Sequence, residues 1–216
     1  KHIEIIFKKN PDIKPKKILD MGCTTGHSTL PWKDQYPDAE IHGIDVGGPC
    51  VRYAHGRAQS YGVTAHFHQM DAEFTNFEDE TFDIVYSCMF LHEVPLENIK
   101  SIFKEANRIL KPGGVMIHYE LPPNSIMSAY DGFYLDWDSY YNKEPFYKAF
   151  RDTDAKKEVL AAGFQEETFF THVCPSLNLY GHEAVMHAVQ SDQKNNNSQV
   201  GRFGDGVMWY FFGARK

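Results

Sequence analysis

Three acidic residues each follow a short apolar run, where a strand of an α/β protein would end. Asp20 follows KKIL, Asp45 follows AEIHGI, and Asp71 follows TAHFHQM. The carboxyl ends of parallel strands meet at one edge of a sheet, and a carboxylate there can accept both hydroxyls of a ribose. We therefore assign ribose binding to Asp45. We assign adenine binding to Asp71 and to the backbone N–H of Ala72.

The turn after the first apolar run contains two glycines, Gly22 and Gly26, in the sequence GCTTG. Glycine permits backbone conformations and close contacts that a side chain prevents. If the turn leads directly into a helix, its backbone N–H groups and the helix dipole face a ligand. The spacing is not the G-x-G-x-x-G of dinucleotide sites, and Asp20 would repel a pyrophosphate. A ligand carrying an ammonium and a sulfonium fits this acid better.

Two further acid–base candidates follow the fourth and fifth apolar runs. His92 is predicted to be either a general base or a substrate hydrogen-bonding group. The alternative is a histidine that caps or packs against the next helix. Glu120 is expected at the carboxyl end of the fifth strand, facing the rim of the cleft and contacting the substrate. His118, inside that strand, is expected to be structural.

A stretch dense in aromatic residues, 122–152, interrupts the alternation of strands and helices. Part of it is expected to form a small satellite core. The remainder is predicted to act as a lid whose aromatic walls suit a small organic acceptor. Asp136 and Asp138 offer an alternative as ligands of a divalent metal, which we do not favour. The predicted substrate-binding residues of this lid are Tyr130, Trp137 and Tyr140.

Short β-rich runs alternate with helical patterns along the chain, which is typical of a parallel sheet with crossover helices. The clearest helix covers 96–110, where apolar residues recur at spacings of three and four. Further helices are predicted over 27–36, 49–61 and from about 154 to Gly163. The predicted strands are KKILDMG, AEIHGIDV, TAHFHQMD, TFDIVYSC, GVMIHYEL, FQEETFFTHVC and GVMWYFFGAR. No helix separates the last two, so they are expected to pair as antiparallel neighbours.

Length, charge and cysteine content narrow the class of protein. The chain has 216 residues and a formal charge of −7, which suits one domain and disfavours nucleic acid or an anionic membrane as partner. No apolar run is long enough to span a bilayer. The four cysteines form no CxxC pair, so we expect free thiols, no metal site and a cytoplasmic location. Because the chain starts at Lys1 without Met, we expect a fragment of a longer protein.

Five segments in this order resemble the motifs of class I S-adenosylmethionine-dependent methyltransferases. They are ILDMGCTTG, IHGID, HQMDAE, FDIVYSCMFLHEV and ILKPGGVMIH, within residues 16–121. The resemblance, which is to small-molecule, type 11-like members, implies a Rossmann-like sheet of seven strands. This sheet would be mostly parallel, with helices on both faces and a final antiparallel strand. The whole chain, 1–216, would be one domain, with 122–152 as the lid-like insertion and 190–199 as a polar loop.

The resemblance also implies roles for individual residues and one activity. S-Adenosylmethionine would be the cofactor, and a small molecule would accept the methyl group. The chain departs from the family at Thr24, where a further glycine is common. Two other functions fit the same motifs: a non-catalytic module that binds the cofactor, and a nicotinamide-dependent oxidoreductase. The residues implied to hold the methionine end or its surroundings are Asp20, Gly22, Cys23, Gly26, Ser87 and Cys88.

Overall fold

Seven strands form the centre of the protein. The structure is a computed structural model that describes residues 10–175, 183 and 208–216. The predicted polar loop 190–199 lies outside these residues. The strands are β1 (Lys17–Met21), β2 (Glu40–Asp45), β3 (His66–Gln69), β4 (Phe82–Cys88), β5 (Leu110–Glu120), β6 (Phe170–Pro175) and β7 (Met208–Arg215).

The strands form one sheet in the order β3-β2-β1-β4-β5-β7-β6. Strands β1 to β5 all run parallel to one another. Strand β7 pairs antiparallel with both β5 and β6. Strand order reverses beside β1, which pairs with β2 on one side and β4 on the other. Such a reversal opens a crevice at the carboxyl ends of the strands. The predicted sheet, including the antiparallel pairing of its last two strands, is confirmed.

Six helices and three short 3-10 turns connect or follow the described strands. The turns cover residues 91–93, 124–126 and 166–168. No described helix is both long and apolar enough to cross a lipid bilayer. The helices are α1 (Pro31–Gln35), α2 (Gly48–Ser60), α3 (Leu96–Ile109), α4 (Ala129–Asn142), α5 (Tyr147–Arg151) and α6 (Ala155–Ala161).

The two faces of the sheet carry two separate apolar cores. Along β4, Val85 belongs to one core, whereas Ile84 and Tyr86 belong to the other. This alternation follows from the two-residue period of a strand. The amphipathic helix α3 supplies Phe103 and its neighbours to the first core, and Trp32 of α1 lies in the second. Helices therefore cover both faces, and the strand ends between the two cores are left to form a site.

The predicted helix 27–36 is wrong in its first half. Helix α1 begins only at Pro31, and turns occupy the residues after Gly22. The hydroxyls of Ser28 and Thr29 donate to the carboxylate of Asp20, at 2.6 and 2.7 Å. Short polar side chains that bond elsewhere in this way compete with helix formation. The glycine turn therefore does not lead directly into a helix, and no helix dipole supports it.

Two other boundaries also differ from the prediction. Strand β6 covers Phe170–Pro175, and a 3-10 turn replaces the expected strand at 166–168. The aromatic stretch 122–152 is largely helical, since α4 and α5 lie within it. An aromatic-rich segment without clear periodicity gives little basis for locating helices.

His118 lies fully buried in β5 and packs against two aromatic rings, those of Phe103 and Phe212, at 5.2 and 5.1 Å. Its Nδ1 contacts the hydroxyl of Ser87 at 2.6 Å. Burial lowers the pKa of this imidazole to about 3. In the unfolded chain this imidazole binds a proton near pH 6.5, whereas in the folded chain it stays neutral down to about pH 3. The free energy of unfolding therefore falls as the pH drops below 6.5.

We therefore expect His118→Gln to make the protein less sensitive to acid. Between pH 6 and pH 4, wild-type unfolding free energy should fall by about 1.4 kcal/mol per pH unit more than that of the variant. Urea unfolding at several pH values measures the difference between the two curves, in which the other titrating groups cancel. Parallel curves would contradict a neutral His118 in the folded state.

Candidate active site

A cavity of about 200 Å³ opens at the carboxyl ends of β1, β2 and β3. Among the described residues, three carboxylates lie in its wall, those of Asp45, Asp71 and Glu73, and no lysine or arginine does. A wall of this charge repels a phosphate or pyrophosphate and attracts a cation. The remaining wall is mostly apolar and suits a flat ring: Gly22, Ile44, Val46, Met70, Ala72, Phe90, Val94, Pro95, Asn98 and Ile102.

The carboxylate of Asp45 is held rigidly at the end of β2. Its Oδ2 accepts the backbone N–H of Thr24 at 3.0 Å, and its Oδ1 accepts that of Gly47 at 2.7 Å. Thr24 adopts a φ of 43°, a conformation more common for glycine than for threonine. The third residue of the turn thus takes a left-handed backbone even though it departs from the family's glycine. Asp45 ties the glycine turn to β2 and also faces the cavity.

The loop after β3 brings together the two residues predicted to contact adenine. Asp71 and Ala72 both line the cavity, and Asp71 Oδ1 accepts the backbone N–H of Glu73 at 2.9 Å. The side chain of Glu73 accepts a hydrogen bond from Asn98 of α3. Sequence reasoning missed Glu73 and Asn98, because a lone acid and amide in a polar loop and on a helix carry no distinctive spacing.

Val46 and Phe90 are two further wall residues that sequence reasoning missed. Val46 directly follows Asp45 and is 67% exposed. An apolar residue directly after the predicted ribose-binding acid was a usable signal, since it offers a surface for a ring beside that site. Phe90 lies just after β4, where its apolar character reads equally well as core.

Asp20 is fully buried beneath the glycine turn. Its Oδ2 accepts the hydroxyls of Ser28 and Thr29, and its Oδ1 has no hydrogen-bonding partner among the described residues. Burial raises the pKa of Asp20 to about 7, and the charge of Asp45 contributes to this increase. The hydrogen bonds from Ser28 and Thr29 act to lower the pKa but do not outweigh burial. A buried carboxylate oxygen without a partner fits a role in attracting positive charge to this turn.

The glycine turn is tightly packed against Phe90. Gly22 has a φ of +71°, and a Cβ there would lie 2.4 Å from Cδ2 of Phe90. Gly26 has a φ of +77°, and a Cβ there would lie 3.1 Å from the ring of Phe67. Both positions therefore require glycine for conformation, and Gly22 requires it for space as well.

Three other residues implied by the resemblance do not present their side chains to the cavity. Ser87 is fully buried, and its hydroxyl contacts His118 instead. The thiol of Cys23 is buried, and burial raises its pKa. Burial also raises the pKa of the half-buried Cys88 thiol to about 12. Cys88 is the last residue of β4. A role for these residues in cofactor binding would rest on their backbone groups.

His92 and Glu120 form a buried pair. Glu120 is fully buried, and its Oε2 lies 2.7 Å from Nδ1 of His92. Its Oε1 accepts the backbone N–H groups of Phe90 and Leu91, at 2.7 and 2.6 Å. Burial acts to lower the pKa of His92, but the hydrogen bond and charge of Glu120 outweigh it, and the net pKa is raised. Because Nδ1–H donates to Glu120, Nε2 is the nitrogen left to accept a proton.

This pair corrects the predicted placement of Glu120. The carboxylate does not face the cleft rim but points inward and fixes the turn after β4. A buried carboxylate requires hydrogen-bond donors, and two backbone N–H groups and one imidazole supply them here. Glu120 can therefore act on a ligand only through His92 and Phe90.

Two aromatic rings of helix α5 pack against His92. The ring of Tyr147 packs edge-on against the imidazole at 5.3 Å, and that of Phe150 lies 6.4 Å away. The predicted substrate-binding rings lie elsewhere. Their exposed fractions on α4 are 50% for Tyr130, 49% for Trp137 and 78% for Tyr140, and none lines a cavity described here. Helix α4 leaves these rings exposed, whereas α5 supplies the contacts to His92.

The arrangement suits S-adenosylmethionine, which would be held by its adenosine between Asp45, Asp71 and Ala72. Carboxylates at the sugar and around a cationic sulfur match the donor set and charge of this wall. Within residues 10–175, 183 and 208–216, no group of three or more His, Cys, Asp or Glu side chains is placed to hold a metal ion. Asp136, weighed above as a metal ligand, forms ion pairs with Lys148 and Arg151.

Comparison with known protein sequences agrees with this geometry. Residues 18–114 match a family described as Methyltransferase domain. A demethylmenaquinone methyltransferase of Thermus thermophilus is 32% identical over 109 residues, which are 50% of this chain and 49% of that protein. A malonyl-[acyl-carrier protein] O-methyltransferase of Hahella chejuensis is 31% identical over 103 residues, 48% of this chain and 36% of that protein. The chain spans about half or less of the length of these relatives.

Solved structures extend the likeness of fold over nearly the whole chain. A candidate methyltransferase of Bacillus halodurans has a TM-score of 0.68 at 20% identity, covering 99% of this chain and 97% of that one. Phosphoethanolamine N-methyltransferase 2 of Haemonchus contortus, solved with S-adenosylmethionine, has a TM-score of 0.64 at 17% identity, covering 99% and 51%. The matched segment and the order of the strands thus both resemble the class I S-adenosylmethionine-dependent methyltransferases.

Proposed function

We propose that this protein transfers the methyl group of S-adenosylmethionine to a small-molecule acceptor, with His92 as the general base. The observation that carries the proposal is the turn after β4. Its residue Phe90 lines the carboxylate-walled cavity, and its residue His92 pairs with buried Glu120. One short segment thus joins a site for a cationic nucleoside to a site that can take up a proton.

The cofactor supplies a methyl group already activated by a positively charged sulfur. Asp45, Asp71 and Ala72 hold the nucleoside, and the glycine turn places the methionine end. Nε2 of His92 accepts the proton of the acceptor, while Glu120 fixes the imidazole and stabilises its protonated form. Holding the two reactants in line can lower the barrier by about 7–11 kcal/mol, so positioning remains the larger contribution.

The names of the relatives support a small or carrier-borne acceptor. Two of these relatives are named as methyltransferases of demethylmenaquinone and of malonyl-[acyl-carrier protein]. The apolar residues around His92, which include Tyr147 and Phe150, are compatible with an organic acceptor of limited polarity. The acidic cavity disfavours a nicotinamide dinucleotide, whose pyrophosphate would meet three carboxylates.

The decisive experiment for this proposal measures S-adenosylhomocysteine formation. The protein is incubated with S-adenosylmethionine and, in turn, with quinol, phenol, amine and acyl-thioester acceptors. We expect one class to give saturable turnover that His92→Ala lowers by about 100-fold or more. Tight cofactor binding without turnover on any class would instead support the non-catalytic module. Binding of NAD with no binding of S-adenosylmethionine would support an oxidoreductase.

The charge of Asp20 predicts that cofactor affinity depends on pH. Because its pKa is raised to about 7, Asp20 is mostly protonated at pH 6 and ionised at pH 8. S-Adenosylmethionine, a cation, should bind about fivefold more tightly at the higher pH, which corresponds to roughly 1 kcal/mol.

In Asp20→Asn this pH dependence should disappear, because an amide still accepts the hydroxyls of Ser28 and Thr29 but carries no charge. Isothermal titration at pH 6, 7 and 8 gives both series. Titration of the cofactor's own groups is common to the two proteins and cancels in the ratio. Equal pH dependence in the two proteins would rule out Asp20 as its source.

A further inference from the structure

Helix α5 is too short to hold its own position. It comprises five residues, Tyr147–Arg151, whereas isolated helices shorter than about 12 residues are marginal in water. Its place beside the turn that contains His92 must therefore come from contacts with other elements. Two rings of this helix pack on His92, so the contacts that fix α5 also fix the surroundings of the proposed base.

Arg151, the last residue of α5, links this helix to two neighbouring segments. One terminal nitrogen donates to Oδ1 of Asn124 at 2.8 Å, in the turn that follows β5. The other terminal nitrogen pairs with Asp136 of α4. The guanidinium also lies over the ring of Tyr147, 5.3 Å from its centre. One planar side chain thus joins α5 to α4 and to the segment after β5, and it packs on a ring of its own helix.

Stability alone does not explain a guanidinium in this place. The side chain of Arg151 is 0% exposed, which is rare for arginine. Among the described residues, its Nε–H has no hydrogen-bonding partner, and a buried donor of this kind costs free energy. Replacing a buried ion pair by apolar residues is often neutral or stabilising. An apolar side chain could match the energy of these contacts, but it could not reproduce their geometry.

The ring of Tyr147 transmits this constraint to the proposed base. It packs edge-on against the imidazole of His92 at 5.3 Å, and both residues are buried. Burial acts to lower the pKa of His92. The carboxylates of Glu120, Glu93 and Glu144 act to raise this pKa. The imidazole is therefore less strongly protonated while the ring covers it than it would be in contact with water.

We propose that Arg151 is a positioning residue, which holds the ring of Tyr147 on His92 and so keeps the proposed base buried. The inference rests on the proposed function in calling His92 a base, although the packing itself involves no cofactor. It gives the aromatic insertion, in which α4 and α5 lie, a role in setting the basicity of His92. Arg151 acts only through Tyr147.

The test is an NMR titration of the His92 ring in wild type and in Arg151→Met, without cofactor or acceptor. Methionine cannot join α5 to the turn after β5, and Asp136 keeps Lys148 as a partner. Without the link, Tyr147 should loosen and water should reach His92, so the titration midpoint should rise by about 0.5–1 pH unit. Loss of a nearby carboxylate would move the midpoint the other way. An unchanged midpoint would overturn the proposal.

Lys148→Met is the matched control. Lys148 lies on the same helix and pairs with the same carboxylate, that of Asp136, but its side chain is 63% exposed. Its loss should leave the His92 titration as in wild type. An equal rise of the midpoint in Lys148→Met would mean that either cation paired with Asp136 has this effect, and it would contradict the role assigned to Arg151.

A double-mutant cycle separates packing from charge. Tyr147→Ala removes the ring, so it should raise the His92 midpoint as well. Adding Arg151→Met to Tyr147→Ala should raise it no further, because the two changes act through one contact. A further rise of full size would mean that the charge of Arg151 acts on His92 directly, and it would overturn the proposal. His118 should stay neutral in every variant and so reports that β5 is folded.

Turnover gives a second readout and separates this inference from the proposed function. With an acceptor that is methylated, the rising limb of the pH–rate profile should move to higher pH in Arg151→Met. Binding of S-adenosylhomocysteine should not change, since Arg151 does not line the nucleoside cavity. A shifted His92 titration without methylation of any acceptor would defeat the proposed function and leave this inference standing. Methylation with an unshifted His92 titration would defeat this inference alone.

Discussion

Glutamine in place of Glu120 is expected to lower the pKa of His92 and to reduce turnover by about 100-fold or more. The buried carboxylate is the main group that raises the pKa of this imidazole, and an amide carries no charge to stabilise the protonated form. NMR titration of the His92 ring should therefore move to lower pH. The rising limb of the pH–rate profile, which reports deprotonation of the base, should move the same way.

Glu93→Gln is the matched control for Glu120→Gln. Glu93 Oε1 lies 3.5 Å from the other nitrogen of His92 and is exposed, so solvent screens its charge. We expect a much smaller change in the pKa of His92 and nearly normal turnover. If Glu120→Gln left both the His92 titration and the pH–rate profile unchanged, Glu120 would have only a structural role.

Glu120→Ala should have a further effect on stability. It would leave two buried backbone N–H groups and the imidazole of His92 without their acceptor. Each buried donor without a partner costs about 1–3 kcal/mol. The free energy of unfolding should therefore fall by roughly 3–9 kcal/mol, measured by urea denaturation, and by much less in Glu120→Gln.

Alanine in place of Gly22 is expected to destabilise the protein by about 2–5 kcal/mol and to abolish tight cofactor binding. The left-handed backbone costs a residue with a Cβ about 1–2 kcal/mol. The added methyl, 2.4 Å from the Phe90 ring, costs about 1–3 kcal/mol more through overpacking. Displacing Phe90 also changes the cavity wall. Thermal unfolding and titration with S-adenosylhomocysteine measure the two effects.

Two other glycines separate the causes. Gly62 has a φ of +67° with nothing within 4 Å of its Cβ position, so Gly62→Ala should show the backbone cost alone. Gly56 lies within α2 with equally open space, so Gly56→Ala should stabilise by about 0.5–1 kcal/mol. Combining Gly22→Ala with Phe90→Ala should remove the overpacking contribution. If Gly22→Ala and Gly62→Ala lowered the free energy of unfolding equally, the Phe90 ring would move aside without an energetic cost.

The sheet was predictable because its inner strands are buried on both faces. Near-continuous apolar runs such as those around Ile84 and Ile117 indicate a parallel sheet. The absence of a predicted helix between the last two strands indicated that they pair antiparallel. The start of α1 was not predictable, since it depends on hydroxyls that bond to Asp20 across a folded turn. The helices of the aromatic insertion were hidden for a similar reason: tertiary packing against His92, not periodicity, orients them.

The positions of Asp45, Asp71 and Ala72 at one edge of the sheet were easier to predict than the pairing of His92 with Glu120. Asp45, Asp71 and Ala72 are fixed by their place at strand ends, which sequence spacing reveals. The partner of His92 could not be read from spacing, because Glu120 follows it only after a helix and a whole strand. Glu120 also points inward, a direction set by the three donors that meet it rather than by its position at a sheet edge.

The central claim is that a nucleoside cofactor binds at the carboxyl ends of β1, β2 and β3, with its ribose on Asp45. The most direct measurement is isothermal titration of S-adenosylhomocysteine into wild type, Asp45→Ala and Asp38→Ala. Asp38 is an exposed acid that precedes β2, and it controls for loss of negative charge. We predict that Asp45→Ala weakens binding by about 10- to 150-fold, the effect of roughly 1.5–3 kcal/mol, while Asp38→Ala binds as wild type. Wild-type affinity in Asp45→Ala would contradict the account.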